Sequence, residues 1–442
     1  MQQIARSLQL KDQILDLLHK NGFDSTYYSK ILDYTIELFH AKRLDDDYYW
    51  YHNIIHELEV TYVTLIAAEW ESFLNNFIKE DLSYLFVAAL FHDYDPSIRV
   101  DKPHEEDVVK FVKTDKKLLE LLKDVGIDEN ILATLILRTT YPWRGELQQK
   151  AEKQIEEYLS VSDITKNDPN KKIHYKILGW FLSVADRIGG YALGDFSKAL
   201  EMAKMNAYEL EWHPSLIARN SVAYFEDLLN NEAEMCERIL RSLPRQMRKS
   251  FMDNVLSFYK LREQEIQINA SFVYDNLKII PIIETINRRQ NDDFINALYK
   301  IFEELPRPLQ FNRENFSESV RDPNTFLNTL RLGNGEGPII GFAKGGPLED
   351  YKLRAEIKDH NYGMFNTVFL EPLALKMGYW GQRGGREMRL LFTMQAEAKE
   401  YKYLTSFAPR HVIENRIKKH EQIEFVKQID PERWDYYRIK LK

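Results

Sequence analysis

Apolar residues recur at intervals of three and four along the first 265 or so positions, as in Ile14-Leu17-Leu18, Ile31-Tyr34-Thr35-Leu38 and Leu118-Leu119-Leu122. That spacing predicts helix after helix, each burying one stripe. Pro142, Pro169, Pro214 and Pro244 fall where the pattern breaks, as expected at helix ends. From Leu256 to Ile268 a charged, periodic segment predicts a helix leading out of this region. After about Ser271 the texture changes. Leu277 to Ile283 predicts a strand and Asp292 to Glu304 an amphipathic helix with acidic first-turn residues. Thr325 to Leu332 and Pro338 to Ala343, separated by Gly333-Asn334-Gly335-Glu336-Gly337, predict a hairpin. Thr367 to Leu375 predicts one more strand, followed by a helix from Met388 to Glu400, a strand from Tyr403 to Ala408 and a helix near Val412 to Lys419. The expected fold class is therefore multidomain: an all-α domain over residues 1–265, then an α/β domain with a mixed sheet over residues 271–442.

Length agrees, since 442 residues exceed one ordinary core. The single cysteine, Cys236, excludes an intrachain disulfide framework and a cysteine-based zinc site. A net charge of -8 with interspersed signs argues against a nonspecific nucleic-acid binder. Local basic clusters at Lys171-Lys172 and Arg383 to Arg389 still leave room for a phosphate ligand. The start of the chain lacks the basic and apolar regions of a secretory signal, and the apolar run Leu82 to Leu90 is about half of the roughly 20 residues needed to cross a bilayer. No membrane association and a cytoplasmic location are expected. Oligomeric state is not readable.

The chemistry gathers in three separated places. Tyr51-His52-Asn53-Ile54-Ile55-His56 puts two imidazoles four residues apart, on one helical face. His92-Asp93 closes an apolar run, where a buried helix ends and presents polar groups. Ala185-Asp186-Arg187 adds a distant carboxylate. Imidazoles and carboxylates together form a ligand set for a metal that activates water.

In order and spacing these pieces resemble the HD phosphohydrolases, within them the YHNxxH group that includes the cyclic-nucleotide phosphodiesterases. The resemblance covers roughly the N-terminal 260 residues. It implies His52 as proton donor to the leaving oxygen, and His56, His92, Asp93 and Asp186 as ligands of a divalent metal, whether Mg, Mn, Zn or Fe. Glu57 or Glu59 would orient the imidazoles, with at least one of the two facing solvent. The chain departs from that pattern after the HD pair, where Tyr94-Asp95-Pro96 stands in place of a further histidine motif. His104 offers one additional imidazole and Leu137 to Pro142 none, so one metal is better supplied with ligands than two. The implied activity is hydrolysis of a small-molecule phosphoester, with a nucleotide or cyclic nucleotide as the first substrate class. An iron-dependent oxygenase is an alternative that the same ligand set allows.

Gly381-Gln382-Arg383-Gly384-Gly385-Arg386-Glu387, between a strand and a helix, is similar to the pyrophosphate loop of GCN5-related N-acetyltransferases. The resemblance covers about 170 residues and implies that Gln382, Arg383, Gly384, Gly385, Arg386 and Glu387 cradle acetyl-CoA or CoA through backbone N–H groups. It also implies Glu371 as base toward an amine acceptor, and His420 in the position of the tyrosine that often protonates the departing thiolate. Glu387 stands where the family has a small residue. A CoA-dependent N-acyltransferase with a regulatory helical domain is thus the competing functional expectation.

Overall fold

The computed structural model describes residues 2–42, 51–97, 103–430 and 433–441. The chain divides into two compact units: one of residues 1–210 and 220–259, the other of 211–219 and 260–442. The border at residue 259 lies inside a single long helix, Arg245–Tyr274.

The first unit is helical, and four of its helices position the site. α1 (Ile54–Phe73) starts at Asn53, whose side chain accepts the N–H groups of Ile55 and His56. It is buried on nearly every side, Glu57 and Glu59 included. α2 (Lys79–Phe91) is fixed at its start by Asp81, whose carboxylate accepts the Ile78 N–H at 2.9 Å. Its run Leu82 to Phe91, apolar apart from Ser83, is buried all round, and the helix ends at His92. α3 (Pro169–Ala192) begins with a proline after the Asp168 cap, where the missing N–H costs nothing. α4 (Phe196–Glu209) follows directly. Gly189 permits the approach of α3 to α1: a Cβ there would stand 3.3 Å from the Val60 Cα. That close crossing brings the turn of α3 carrying Asp186 beside the turn of α1 carrying His56.

The second unit is built on an eight-stranded sheet. Its strands are β1 (Ile279–Ile283), β2 (Phe326–Leu332), β3 (Ile339–Pro347), β4 (Thr367–Leu370), β5 (Ala374–Leu375), β6 (Tyr403–Pro409), β7 (Ile423–Lys427) and β8 (Trp434–Lys440). Their order is β1-β2-β3-β4-β6-β8-β7, with β5 also on β3. All pairings are antiparallel except β4 with β6, which run parallel with Thr367 beside Tyr403 and Leu370 beside Ser406. Pro281 sits in the edge strand β1, where a missing N–H is tolerated. The predicted hairpin is β2-β3; in its turn a Cβ on Gly337 would fall on the Leu332 carbonyl oxygen, so only glycine closes it.

Alternation along β2 and β3 sends residues into two cores. Phe326, Leu330 and Ala343 pack with Met388, Phe392 and Ala396 of α5 (Gly384–Ala398), while Leu327 and Phe342 pack with Leu298, Phe302 and Phe316 on the other face. The strand expected over Thr367 to Leu375 is divided. Glu371, Pro372 and Leu373 interrupt it, and β4 and β5 each pair with a different stretch of β3. Proline in the middle supplies no N–H to the ladder, which accounts for the break.

Candidate functional site

α1, α2 and α3 deliver four side chains to one point. His56 Nε2 lies 3.2 Å from Asp186 Oδ1 and 3.4 Å from Asp93 Oδ2. His92 Nε2 lies 3.2 Å from Asp93 Oδ2 and 3.4 Å from Asp186 Oδ1. Both imidazole nitrogens are buried, yet neither makes a well-directed hydrogen bond. Two nitrogens and two carboxylate oxygens converging without directed hydrogen bonds suit a cation, which takes lone pairs from every side.

Glu57 also falls within a 4.8 Å cluster with His56, His92 and Asp93. Its carboxylate, however, reaches Nδ1 of His92, at 2.9 Å, on the far side of the ring from Nε2. Asp186 is the group that faces both Nε2 atoms, so we place Glu57 behind the cluster as the partner that fixes the His92 ring. Ala89 O, also 2.9 Å from Nδ1, holds the same edge.

Charge follows the same logic. Burial alone would lower the His56 pKa, but Asp186 and Asp93 push it up to about 10. Burial alone would likewise raise Asp186, and the imidazoles of His92 and His56 hold it well below the usual carboxylate range. The two carboxylates draw positive charge to the cluster, as protons on the imidazoles or as a metal.

His52 lies beside this point. Its Nε2 is 3.7 Å from Asp93 Oδ2, while Nδ1 is bound to Oε1 of Glu209 at the end of α4. Oε2 of Glu209 accepts the N–H groups of Tyr51 at 2.9 Å and His52 at 3.1 Å, fixing the segment before α1. The Tyr51 ring packs on both His52 and His56, with centroids at 4.9 and 4.5 Å.

The five residues expected from sequence, His52, His56, His92, Asp93 and Asp186, are therefore neighbours. Asp186 is not consumed by Arg187, which is held by Asp227 at 2.9 Å and the Tyr224 carbonyl at 3.0 Å. One expectation differs from the structure. Neither Glu57 nor Glu59 faces solvent; Glu59 is buried and bridges Arg6 and Lys198 at 2.5 and 2.6 Å, because helices surround α1. His104 stands at the N-cap position of the helix Glu105–Thr114, the helix start that its acidic followers imply, and its backbone N–H donates to Asp95 at 3.1 Å. Sequence reasoning missed Glu209, separated from His52 by 157 positions, with no spacing rule to connect them.

In the sheet unit, Arg383 adopts a left-handed conformation, φ 63°, and ends the loop that opens α5. The N–H groups of Gly384 and Gly385, first in the helix, have no protein acceptor among the described residues. Gln382 donates to the Asn269 side chain, Arg386 is exposed, and Glu387 sits in the first helical turn. Gly384 is needed for packing, since a Cβ there would lie 2.4 Å from Leu330 Cδ2; Gly385 has ordinary room, 3.7 Å from Leu373. The expectation of a free base at Glu371 is corrected. Its carboxylate is buried, ion-paired with Lys344, and accepts the Tyr351 hydroxyl at 2.8 Å. His420 lies exposed at φ 61°, just beyond the helix Arg410–Lys418.

Fold and cluster define a helical domain of the kind that gathers imidazoles and carboxylates around a metal. Residues 53–188 match the family model described as HD domain, so this segment of the chain is an HD domain. Among curated proteins none matches the sequence. Solved structures similar to the chain align with little more than a third of it. An acetyltransferase of the GNAT family from Staphylococcus aureus Mu50 is 14% identical over 37% of this chain and 100% of its own, with a TM-score of 0.25. The ribosomal-protein-S18-alanine N-acetyltransferase of Escherichia coli is 12% identical over 38% of this chain and 94% of its own, also at 0.25. Tetrahymena GCN5 is 14% identical over 38% and 96%, at 0.25. No helix among the described residues is long and apolar enough to cross a membrane.

Proposed function

We propose that the helical unit is a metal-dependent phosphohydrolase acting on a small phosphoester, with nucleotides and cyclic nucleotides as its substrate class. The observation that carries this reading is the pairing of four converging ligand atoms with an imidazole, His52, that is separately held by Glu209. His56, His92, Asp93 and Asp186 would hold the ion, and a divalent cation bound there polarises a phosphoryl group and lowers the pKa of water.

The residues around it divide the remaining work. Glu57 fixes the His92 ring so that Nε2 faces the cluster. Glu209 on Nδ1 and Asp93 near Nε2 favour the protonated form of His52, whose pKa is raised although burial alone would lower it. Nε2 of that imidazolium is the donor available to a departing oxygen near the cluster. Metal analysis of the purified protein, combined with a panel of phosphoesters and nucleotides, tests the reading. A protein without bound metal and inactive across the panel would overturn it, and iron with oxygen-dependent turnover would replace it with an oxygenase.

A second activity is favoured by one observation in the sheet unit. The N–H groups of Gly384 and Gly385, without an acceptor among the described residues, open α5 beside exposed Arg386, a donor set suited to a pyrophosphate. We infer acyl-CoA binding there, with transfer to an amine as the associated chemistry. Glu371 would act as base only on release from Lys344. A calorimetric titration with acetyl-CoA tests it.

A further inference from the structure

Within the helical unit lies a second cleft, of ≈ 880 Å³, none of whose lining residues belongs to the metal cluster. That size suits a nucleoside or nucleotide. Arg138 and Glu232, each 8% exposed, form its floor, and Trp143 and Trp180 line its walls.

The floor has unused capacity. The Arg138 guanidinium stacks 3.9 Å over the Trp143 ring. Its two amino ends make only long contacts, 3.3 Å to Ser183 Oγ and 3.5 Å to Glu232 Oε1. These are at the limit of hydrogen bonding for a group with five donors. Glu232 Oε2 accepts the Trp180 indole N–H at 2.5 Å, and each carboxylate oxygen accepts more than one hydrogen bond. A donor fork therefore lies next to a carboxylate, both buried, between two indoles. No other aromatic ring packs on either indole among the described residues. At the rim, Lys153 has no ion-pair partner among the described residues, whereas Lys176 is paired with Glu156.

We propose that this cleft is a second ligand site, for a nucleotide with a guanine-type base. The base stacks on the indoles; the Glu232 carboxylate accepts its adjacent ring N–H and amino group, and Arg138 donates to its carbonyl oxygen. A phosphate at the other end reaches Lys153. Adenine has a ring acceptor where guanine has its N–H, and so sets a lone pair against the carboxylate. Inosine keeps the N–H and the carbonyl but lacks the amino group. The order of affinity is thus guanosine, then inosine, then adenosine. The proposal is independent of phosphohydrolase activity.

The test titrates guanosine, inosine and adenosine into the full chain in the presence of a chelator, reading tryptophan fluorescence and heat. Guanosine saturates at submillimolar concentration, and adenosine is at least about ten-fold weaker, as expected for loss of a paired hydrogen-bond contact to a base edge. Glu232→Gln replaces an acceptor by an amide donor and weakens guanosine at least about ten-fold, with unchanged helical circular dichroism. Because Glu232 also ties Arg138 and Trp180, Trp143→Leu serves as the second variant, and it too weakens guanosine. Equal affinities for guanosine and adenosine, no saturation by millimolar guanosine, or full guanosine affinity in both variants would each overturn the proposal.

Discussion

Replacing Glu209 by Gln should separate the proposed proton role of His52 from the proposed metal binding of the cluster. The wild-type carboxylate accepts two backbone N–H groups on Oε2 and grips His52 Nδ1 with Oε1. Glutamine keeps an amide oxygen for the backbone donors, so the segment before α1 stays in place. What is lost is the negative charge that stabilises the imidazolium. A hydrogen bond to a charged group contributes about 1.5–3 kcal/mol. At about 1.4 kcal/mol per pKa unit, the His52 pKa should fall by roughly 1–2 units. The sign follows from the role: a general acid must be protonated, so activity declines as pH rises through its pKa. The variant should therefore show its alkaline limb displaced to lower pH by roughly 1–2 units, with kcat down about 10- to 100-fold above the native limb and little changed well below it. The assay is a pH–kcat profile on the metal-loaded full chain with two phosphoesters, one with an alkyl and one with a nitrophenyl leaving group; the nitrophenyl ester should suffer less. Metal content should equal that of the wild type. An unmoved alkaline limb at unchanged metal content would refute the coupling of Glu209 to the His52 proton, and loss of metal would instead place Glu209 among the supports of the ligand cluster.

Three further outcomes are expected. His92→Ala should lose bound metal by elemental analysis while keeping its helical circular dichroism, whereas His52→Ala should keep the metal and lose about 10²- to 10⁴-fold in turnover; full occupancy in His92→Ala would sink the ligand assignment. The His174 pKa is raised chiefly by its 2.8 Å hydrogen bond to buried Asp81, so its stabilisation is complete below about pH 6.5 and fades as pH rises through the raised value. The melting-temperature gap between wild type and His174→Gln should accordingly be wider at pH 6 than at pH 8.5, and a constant gap would contradict the pairing. In α5, Gly385→Asp should abolish the acetyl-CoA thermal shift of the folded chain, while Gly384→Val, forced against Leu330, should destabilise by about 1–3 kcal/mol in denaturant titration. A retained thermal shift in Gly385→Asp would remove the loop from the CoA site.

The parts of the site legible in the sequence were those tied to helix periodicity. His52 and His56 flank the start of α1 at a separation of four, and His92-Asp93 ends α2 because its apolar run is buried on every face. Spacing alone revealed neither Glu209 nor the side of His92 on which Glu57 lies, because both depend on how α1, α2 and α4 cross. The Arg138–Glu232 cleft was hidden for the same reason: its two charged groups lie 94 positions apart.

The sheet unit shows what local pattern leaves unread. Trp434-Asp435-Tyr436-Tyr437-Arg438-Ile439-Lys440, to which the sequence pattern assigns no element, is β8, paired on both sides, with Asp435 and Arg438 buried. Asp435 is neutralised by Arg410 at 2.7 Å, and Arg438 by Asp359. Charged residues enter a sheet interior when their partners come from elsewhere in the chain, and such pairing leaves no local period. The same reasoning applies to Glu371. As a strand-end glutamate it resembled a base open to a substrate, but Lys344 on the neighbouring strand occupies it. The structure thus shifts the question at that position from which proton Glu371 removes to what frees its carboxylate. In the HD unit the corresponding carboxylates, which converge with His56 and His92, have no lysine or arginine ion-paired to them among the described residues, so their charge is open to balance by imidazolium protons or by a metal, and the metal analysis of His92→Ala distinguishes the two.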